Sequence, residues 1–192
     1  MKGLAQRVAT FVLMAVMLTA CAAPPLKLYT LTRAPEGIDP SPLRRNATII
    51  VVDRVHLPDY PDTQDILIRR GNVLDRSRTG RWVSRLSVSA TELLTAKLAM
   101  RGPDALVTDG VQTAVPNYEI SVHVGELDVS SAGEALMDAD WQIIPRTGIK
   151  HIVRGRVRIT LQGSVASDEG VVGLEGRLFE RLAASFDISG LR

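Results

Sequence analysis

Three segments in the carboxyl-terminal half of the chain alternate apolar and polar residues, which is the pattern of half-buried β-strands. Their apolar positions are Tyr118, Ile120, Val122 and Val124; Met137, Ala139, Trp141 and Ile143; and Val153, Gly155, Val157, Ile159 and Leu161. Because successive side chains of a strand point to opposite faces, each segment predicts one buried and one wet face. Turn residues separate the segments, so together they predict an antiparallel meander with one face to be covered.

Two further segments have the periodicity of helices, in which apolar residues recur every three or four positions. They cover residues 82–100, ending before Gly102-Pro103, and residues 171–186. Shorter apolar runs predict additional strands at residues 26–31, 48–52, 66–69 and 73–74, the last two joined by Gly71-Asn72. Both tryptophans occupy apolar positions and are expected in the core. The fold class is therefore α+β, a mostly antiparallel sheet with two main helices packed on one face.

The first 21 residues have the form of a bacterial lipoprotein signal. Lys2 and Arg7 give a positive start, residues 9–20 carry no formal charge, and Leu18-Thr19-Ala20 precedes Cys21, the single cysteine. The apolar run is shorter than the roughly 20 residues that a membrane-spanning helix needs. The pattern predicts cleavage before Cys21 and acylation of its thiol, giving a membrane anchor. The alternatives are an ordinary buried cysteine and a signal peptide that is cleaved without lipid attachment.

These signals divide the chain into a signal peptide at residues 1–20, a lipidated tether with a first short strand at residues 21–46, and a globular α+β domain at residues 47–192. The chain has 23 Lys and Arg against 21 Asp and Glu, and loss of Lys2 and Arg7 leaves 21 of each. This balance argues against a nucleic-acid partner. With Cys21 acylated, no thiol is left for a disulfide, a cysteine-ligated metal or thiol catalysis.

The sequence lacks the short motifs that mark common catalytic and cofactor sites. It contains no GxxxxGK[ST] phosphate loop, no HExxH zinc motif and no GxSxG nucleophile elbow. Of its three histidines, which are far apart in the sequence, His123 and His151 are expected on the solvated faces of strands. Asp138 and Asp140 share one face of a predicted strand, where they either bind a cation or remain solvated. We therefore expect no cofactor, no metal and no enzymatic activity.

Arg154, Arg156 and Arg158 form the most notable charge pattern, because alternate residues of a strand project from the same face. Two interpretations are open. In the first, the three guanidinium groups belong to an ordinary exposed face and are balanced by carboxylates of a neighbouring strand, such as Glu119. In the second, they form a contact surface for anionic lipid head groups or for an acidic partner protein.

Several short motifs also follow one another in a recognisable order. They are the lipobox at Cys21, Leu28-Tyr29-Thr30-Leu31, Ile50-Val51-Val52 leading into Leu57-Pro58-Asp59-Tyr60, Ile66-Leu67-Ile68-Arg69, Arg81-Trp82 and Asp140-Trp141. Their order and spacing extend over nearly the whole mature chain. The set resembles the ABC-type transport auxiliary lipoproteins of the PqiC kind.

The resemblance implies a non-enzymatic subunit of an MCE-type lipid transport system, in which an inner-membrane ABC transporter works with MCE proteins that form a conduit for phospholipid. The lipoprotein would lie at the periplasmic face of the outer membrane and would dock the MCE-domain protein there. Ala22, rather than an aspartate, follows Cys21, which agrees with sorting to the outer membrane in many Gram-negative bacteria. A homo-oligomeric ring fits the same resemblance. The family offers Cys21 as its one defined functional position. The alternatives are a structural or assembly lipoprotein of another envelope machine and a lipid-anchored hydrolase.

Overall fold

The computed structural model describes residues 25–31, 43–110, 114–148, 151–188 and 190–191. The described residues form eight strands and two helices: β1 (Lys27–Tyr29), β2 (Ile49–Val52), β3 (Asp65–Arg70), β4 (Val73–Trp82), α1 (Leu86–Arg101), β5 (Leu106–Thr108), β6 (Tyr118–Val129), β7 (Glu134–Pro145), β8 (Val153–Gln162) and α2 (Asp168–Ala184). The predicted signal peptide and Cys21 lie outside the described residues.

Five strands form the larger sheet, in the order β5-β2-β6-β7-β8. β6, β7 and β8 pair antiparallel along most of their lengths, which confirms the predicted meander. β2 is parallel to both β5 and β6, so the sheet is mixed, within the α+β class that the sequence predicts. The parallel pairing is available because a long connection, from β3 to α1, follows β2 and returns the chain in the same direction.

Both helices pack on the same face of the larger sheet. Buried side chains alternate along β6 and β7, and they share one hydrophobic cluster with the buried side chains of the helices. Lys97 of α1 lies 2.6 Å from Glu180 of α2, and Arg101 donates hydrogen bonds to the carbonyl oxygens of Ala183 and Phe186. Because these partners advance together along both helices, α1 and α2 run side by side in the same direction.

The smaller sheet has the order β1-β4-β3. β3 and β4 form the predicted hairpin, in which Arg70 pairs with Val73 and Gly71 adopts a φ of +60°. A positive φ suits glycine at the first position of a two-residue hairpin loop. β1 pairs with β4 in parallel and forms an edge of this sheet. A bridge between Arg69 and Ser130 connects the smaller sheet to the turn after β6.

The first helix begins later than its periodicity predicts. Trp82, its predicted first residue, is instead the last residue of β4, and the helix starts at Leu86. β4 is also far longer than the two-residue strand that the sequence predicts. Its length is set by pairing with β1 and β3 on its two sides, and not by an apolar pattern in its own sequence. The N–H of Trp82 donates to Gln64 O and the N–H of Val83 donates to Tyr29 O, both at 2.8 Å. Trp82 is buried as expected, at 1 % exposure.

The second helix begins at Asp168, three residues before its first periodic apolar position. Ser167 caps it, since its Oγ accepts a hydrogen bond from the N–H of Gly170 at 3.4 Å. Asp168 and Glu169 add negative charge to the first turn, where the helix dipole favours it. The apolar positions that predict this helix are all fully buried: Val171, Leu174, Leu178, Leu182 and Phe186. The helix ends at Ala184, two residues before the predicted end at Phe186.

Candidate functional site

The open face of the β6-β7-β8 meander is the candidate site, because polar side chains lie there in rows that cross the three strands. In register, the rows are Ser121–Gln142–Arg154, His123–Asp140–Arg156 and, beyond a bulge in β6, Glu126–Asp138–Arg158. The first two rows, with Trp141 and Gly155, line a shallow groove of about 590 Å³. Since β8 is an edge strand, the arginine end of each row is open to a partner.

Two of the three predicted arginines are paired with carboxylates of β7. Arg156 makes a bidentate contact with Asp140, with Nε to Oδ1 at 2.6 Å and Nη2 to Oδ2 at 3.0 Å. Arg158 donates from Nε and Nη2 to Oδ2 of Asp138, at 3.1 and 2.6 Å. The hydrogen bond from Arg156 lowers the pKa of Asp140 below its ordinary value. The two aspartates therefore hold arginines, and their charges are balanced within the sheet.

Arg154 differs from its two neighbours on the strand. It lies opposite Gln142, a neutral side chain, and within the described part of the chain no carboxylate lies at ion-pair distance from it. Its side chain is exposed at the edge of the groove. One uncompensated positive charge therefore remains in the row of three arginines, and it lies at the groove.

Glu119 belongs to another charge cluster, at the start of β6. Nε of Arg146 donates to its Oε2 at 2.6 Å. Burial, together with a hydrogen bond to Glu119, raises the pKa of Asp53 to about 6. Burial also acts to raise the pKa of Glu119, but hydrogen bonds with Asp53 and Arg146 outweigh it and lower that pKa. Asp53, Glu119 and Arg146 thus form a separate cluster of charged groups, beyond the end of the arginine row.

Trp141 connects the groove to the core. Its ring centroid lies 4.7 Å from that of Phe186, with the ring planes inclined by 33°. Gly155, opposite it on β8, leaves room for the indole, because a Cβ at this position would lie 2.4 Å from Cε2 and Cζ2 of Trp141. Trp141 packs against the core cluster but is only partly buried, whereas its sequence pattern predicts a core position. Any side chain at position 155 must therefore displace the indole of Trp141.

Two of the sequence motifs meet where the smaller sheet contacts β6. Nε of Arg69 donates to Oδ1 of Asp128 at 2.7 Å, and the guanidinium carbon lies 5.4 Å from the ring centroid of Tyr60. The Tyr60 hydroxyl donates to the carbonyl oxygen of Leu127 at 3.0 Å. Tyr60 and Arg69 thus fasten the smaller sheet to β6, which gives these motif residues a structural role.

Glu175 of α2 is a buried acid that the sequence reasoning missed. It is 5 % exposed, its Oε2 has no hydrogen-bond partner among the described residues, and burial raises its pKa to about 8. A signal for it exists in the sequence, since Glu175 follows Val171 by four positions and precedes Leu178 by three. An acid at that spacing falls on the apolar side of the helix.

Two of the three histidines lie next to each other in the fold. His56 and His123 are joined by a backbone bridge, and His151 lies just before β8. Within the described ranges, no three His, Cys, Asp or Glu side chains lie close enough together to hold a metal ion. Neither helix of the described part of the chain has the length and apolar character needed to cross a membrane.

A model of the family described as "ABC-type transport auxiliary lipoprotein component" matches residues 29–186. The chain belongs to this family. Family membership makes the protein an auxiliary lipoprotein component of an ABC-type transport system, with transporter subunits as partners and an envelope location. The comparison with curated protein sequences gave no match.

Solved structures show the same fold as this auxiliary lipoprotein. A crystal structure of an uncharacterised protein matches with a TM-score of 0.64 and 15 % identity, over 83 % of this chain and 95 % of the other. Protein XCC0632 from Xanthomonas campestris, of family DUF330, matches with a TM-score of 0.60 and 11 % identity, over 82 % and 90 %. The PelC dodecamer from Paraburkholderia phytofirmans has a TM-score of 0.43, too low to bear on assembly.

Proposed function

We propose that this auxiliary lipoprotein is a non-catalytic subunit of an MCE-type lipid transport system at the periplasmic face of the outer membrane. Acylated Cys21 anchors it, and it holds the MCE-domain protein that receives phospholipid by way of the inner-membrane ABC transporter, which maintains envelope integrity. A homo-oligomeric ring is part of the same proposal. The observation that carries it is the family match over residues 29–186. The lipoprotein signal that ends at Cys21 supports the anchor.

The open face of the meander supplies the contact with the partner in this proposal. Two rows end in an aspartate–arginine pair, whereas the row of Gln142 and Arg154 lacks the carboxylate. An acidic side chain of the partner that enters the groove would complete this row with the geometry that Asp140 provides for Arg156. Close charge pairs across protein interfaces contribute about 1.5 kcal/mol or more to binding, which is roughly tenfold in affinity.

Capture of the candidate partner tests the proposal directly. The acylated lipoprotein, solubilised in mild detergent, is immobilised and exposed to the purified candidate MCE-domain protein. We expect retention of the MCE-domain protein, and we expect a deletion strain to lose tolerance to detergent. No retention, together with wild-type detergent tolerance, would count decisively against the proposal.

Two matched variants test the contact residue. Arg154→Gln removes the uncompensated charge and is expected to weaken retention of the partner by about tenfold. Arg158→Gln removes an arginine from the same strand and the same face, but one whose charge Asp138 already balances, and is expected to leave retention unchanged. Equal losses in both variants would show that general positive charge, rather than the groove, makes the contact.

A further inference from the structure

β1 fixes the start of the described chain to one end of the domain. Lys27 Nζ lies 2.9 Å from Oε1 of Glu169, and the Tyr29 hydroxyl donates to the same oxygen at 2.8 Å. Glu169 belongs to the first turn of α2. Beside it, Thr79 of β4 donates to Asp168 at 2.8 Å. β1 is therefore held at the amino-terminal end of α2 by two polar contacts, in addition to its pairing with β4.

The sequence places this end of the domain close to the proposed lipid anchor. Five residues separate Cys21 from Lys27. Six steps of fully extended chain span at most about 20 Å. If acylated Cys21 lies at the membrane surface, β1 cannot be farther from that surface than this length.

Three exposed apolar side chains lie at β1 and at the end of β4 beside it. Leu26 and Leu28 are 52 % and 64 % exposed, and as alternate residues they share the outward face of the strand. Leu28 lies opposite Arg81 of β4, and Val83, 57 % exposed, follows with its N–H bonded to Tyr29 O. We name Leu26, Leu28 and Val83 the β1 patch. Exposed apolar side chains grouped on neighbouring strands mark contacts with proteins or membranes, and here a membrane is within reach of the proposed anchor.

Among the described residues, the cations of β1 and of the β4 position opposite Leu28 already have partners. Lys27 pairs with Glu169, and Nε of Arg81 lies 3.5 Å from Oδ1 of Asp65. The attraction between the patch and a bilayer is therefore apolar rather than electrostatic, and it does not require anionic lipid.

The groove lies at the opposite end of the domain from the β1 patch. α2 has 17 residues and, at a rise of 1.5 Å per residue, is about 25 Å long. The β1 contacts are at its first turn, whereas Phe186, just after its last turn, packs against Trp141 at the groove. A helix length thus separates the two surfaces.

We infer that the β1 patch is the surface on which the domain rests against the bilayer, and that the Arg154 groove is turned away from the membrane towards a periplasmic protein. The inference rests on the proposed anchor at Cys21. It assigns a lipid surface to Leu26, Leu28 and Val83, and it assigns the unpaired arginine to a protein partner rather than to lipid head groups.

Site-directed spin labelling of the acylated protein tests this orientation. Since Cys21 is acylated in the mature protein, a cysteine introduced by substitution is the single free thiol. The patch is labelled through Leu28→Cys, and the control is Met100→Cys, which is 70 % exposed and lies in the last turn of α1, at the groove end. The accessibility of each spin label is measured in liposomes of phosphatidylethanolamine, with and without phosphatidylglycerol. Oxygen is the lipid-soluble relaxation agent and a nickel chelate is the water-soluble one.

We expect the label at position 28 to be severalfold more accessible to oxygen relative to nickel than the label at position 100, in both lipid mixtures. A second label through Val83→Cys repeats the measurement within the patch in case Leu28→Cys perturbs β1. Equal exposure to water at all three positions, or lipid contact at position 100 alone, would overturn the inference. Mass spectrometry of the amino-terminal peptide separates the two ideas: an acylated protein with a wet patch refutes only the orientation, whereas an unmodified Cys21 refutes the anchor and the orientation with it.

Discussion

Replacing Glu175 with glutamine should remove most of a pH-dependent cost to stability. The side chain is 5 % exposed and Oε2 has no partner among the described residues, so the folded protein favours the neutral acid. Burial raises its pKa from 4.5 to about 8. While such an acid is protonated in both states, it does not change the free energy of unfolding. As the pH rises from 4.5 towards 8 the unfolded chain ionises first, so the folded protein becomes progressively less stable.

The size of the effect follows from the two pKa values. Between pH 4 and pH 7 Glu175 becomes ionised in the unfolded chain but stays largely protonated in the folded protein. The free energy of unfolding falls by about 1.36 kcal/mol per pH unit between the two pKa values, and by about 3 kcal/mol from pH 4 to pH 7. Glutamine has a similar shape and also buries a polar group, but it does not ionise. We therefore expect Glu175→Gln to be close to wild type in stability at pH 4, and more stable by about 3 kcal/mol at pH 7.

Urea denaturation of the domain at pH 4, 5, 6 and 7, followed by circular dichroism, measures this difference. The control is Glu92→Gln, an exposed glutamate of α1, for which the difference from wild type should be small and constant with pH. A difference between Glu175→Gln and wild type that stays constant from pH 4 to pH 7 would show that Glu175 is ionised in the folded protein, and would refute the reasoning.

Gly155→Ala should destabilise the domain by about 1–3 kcal/mol, because the added Cβ would lie 2.4 Å from Trp141, whereas Gly173→Ala meets only ordinary contacts in α2 and should be neutral or stabilising by about 0.5–1 kcal/mol. Thermal unfolding of both variants checks this pair, and similar melting temperatures would contradict it. Hydrogen bonds from Lys27 and Tyr29 lower the pKa of Glu169 to about 2. Their contribution to the stability of β1 is therefore present above pH 4.5 and is lost as the pH falls towards 2. Amide hydrogen exchange of β1, corrected for intrinsic rates, should be faster in Glu169→Gln at pH 7 and should accelerate below pH 4.5 in the wild type only.

The long elements of the larger sheet could be predicted because each carries its own burial pattern. β6, β7 and β8 alternate with period two, and α2 has apolar residues on one side, so local sequence specifies both the element and its buried face. β4 has no such pattern through its middle. It is a strand because β1 and β3 lie on either side of it, which also moves the start of α1 to Leu86.

The candidate site was predictable only in part. Alternation places Arg154, Arg156 and Arg158 on one face, but it does not say which of them are neutralised. The register between β7 and β8 decides this, by setting Asp140 and Asp138 opposite two of the arginines and Gln142 opposite the third. A register shifted by one residue would turn one strand's side chains to the other face, so the pairing depends on the whole sheet.

By itself, the sequence determined the alternating strands and the amphipathic second helix, because each of these is encoded in residues that are near one another in the chain. It also predicts the lipoprotein signal, and it identified the family through the order of motifs along most of the chain. Only the tertiary structure decided the mixed order of the larger sheet, the charge left on Arg154, the burial of Glu175 and the position of β1 at the end of α2. These depend on contacts between residues far apart in the chain, for which strand register and burial, rather than local pattern, set the partners.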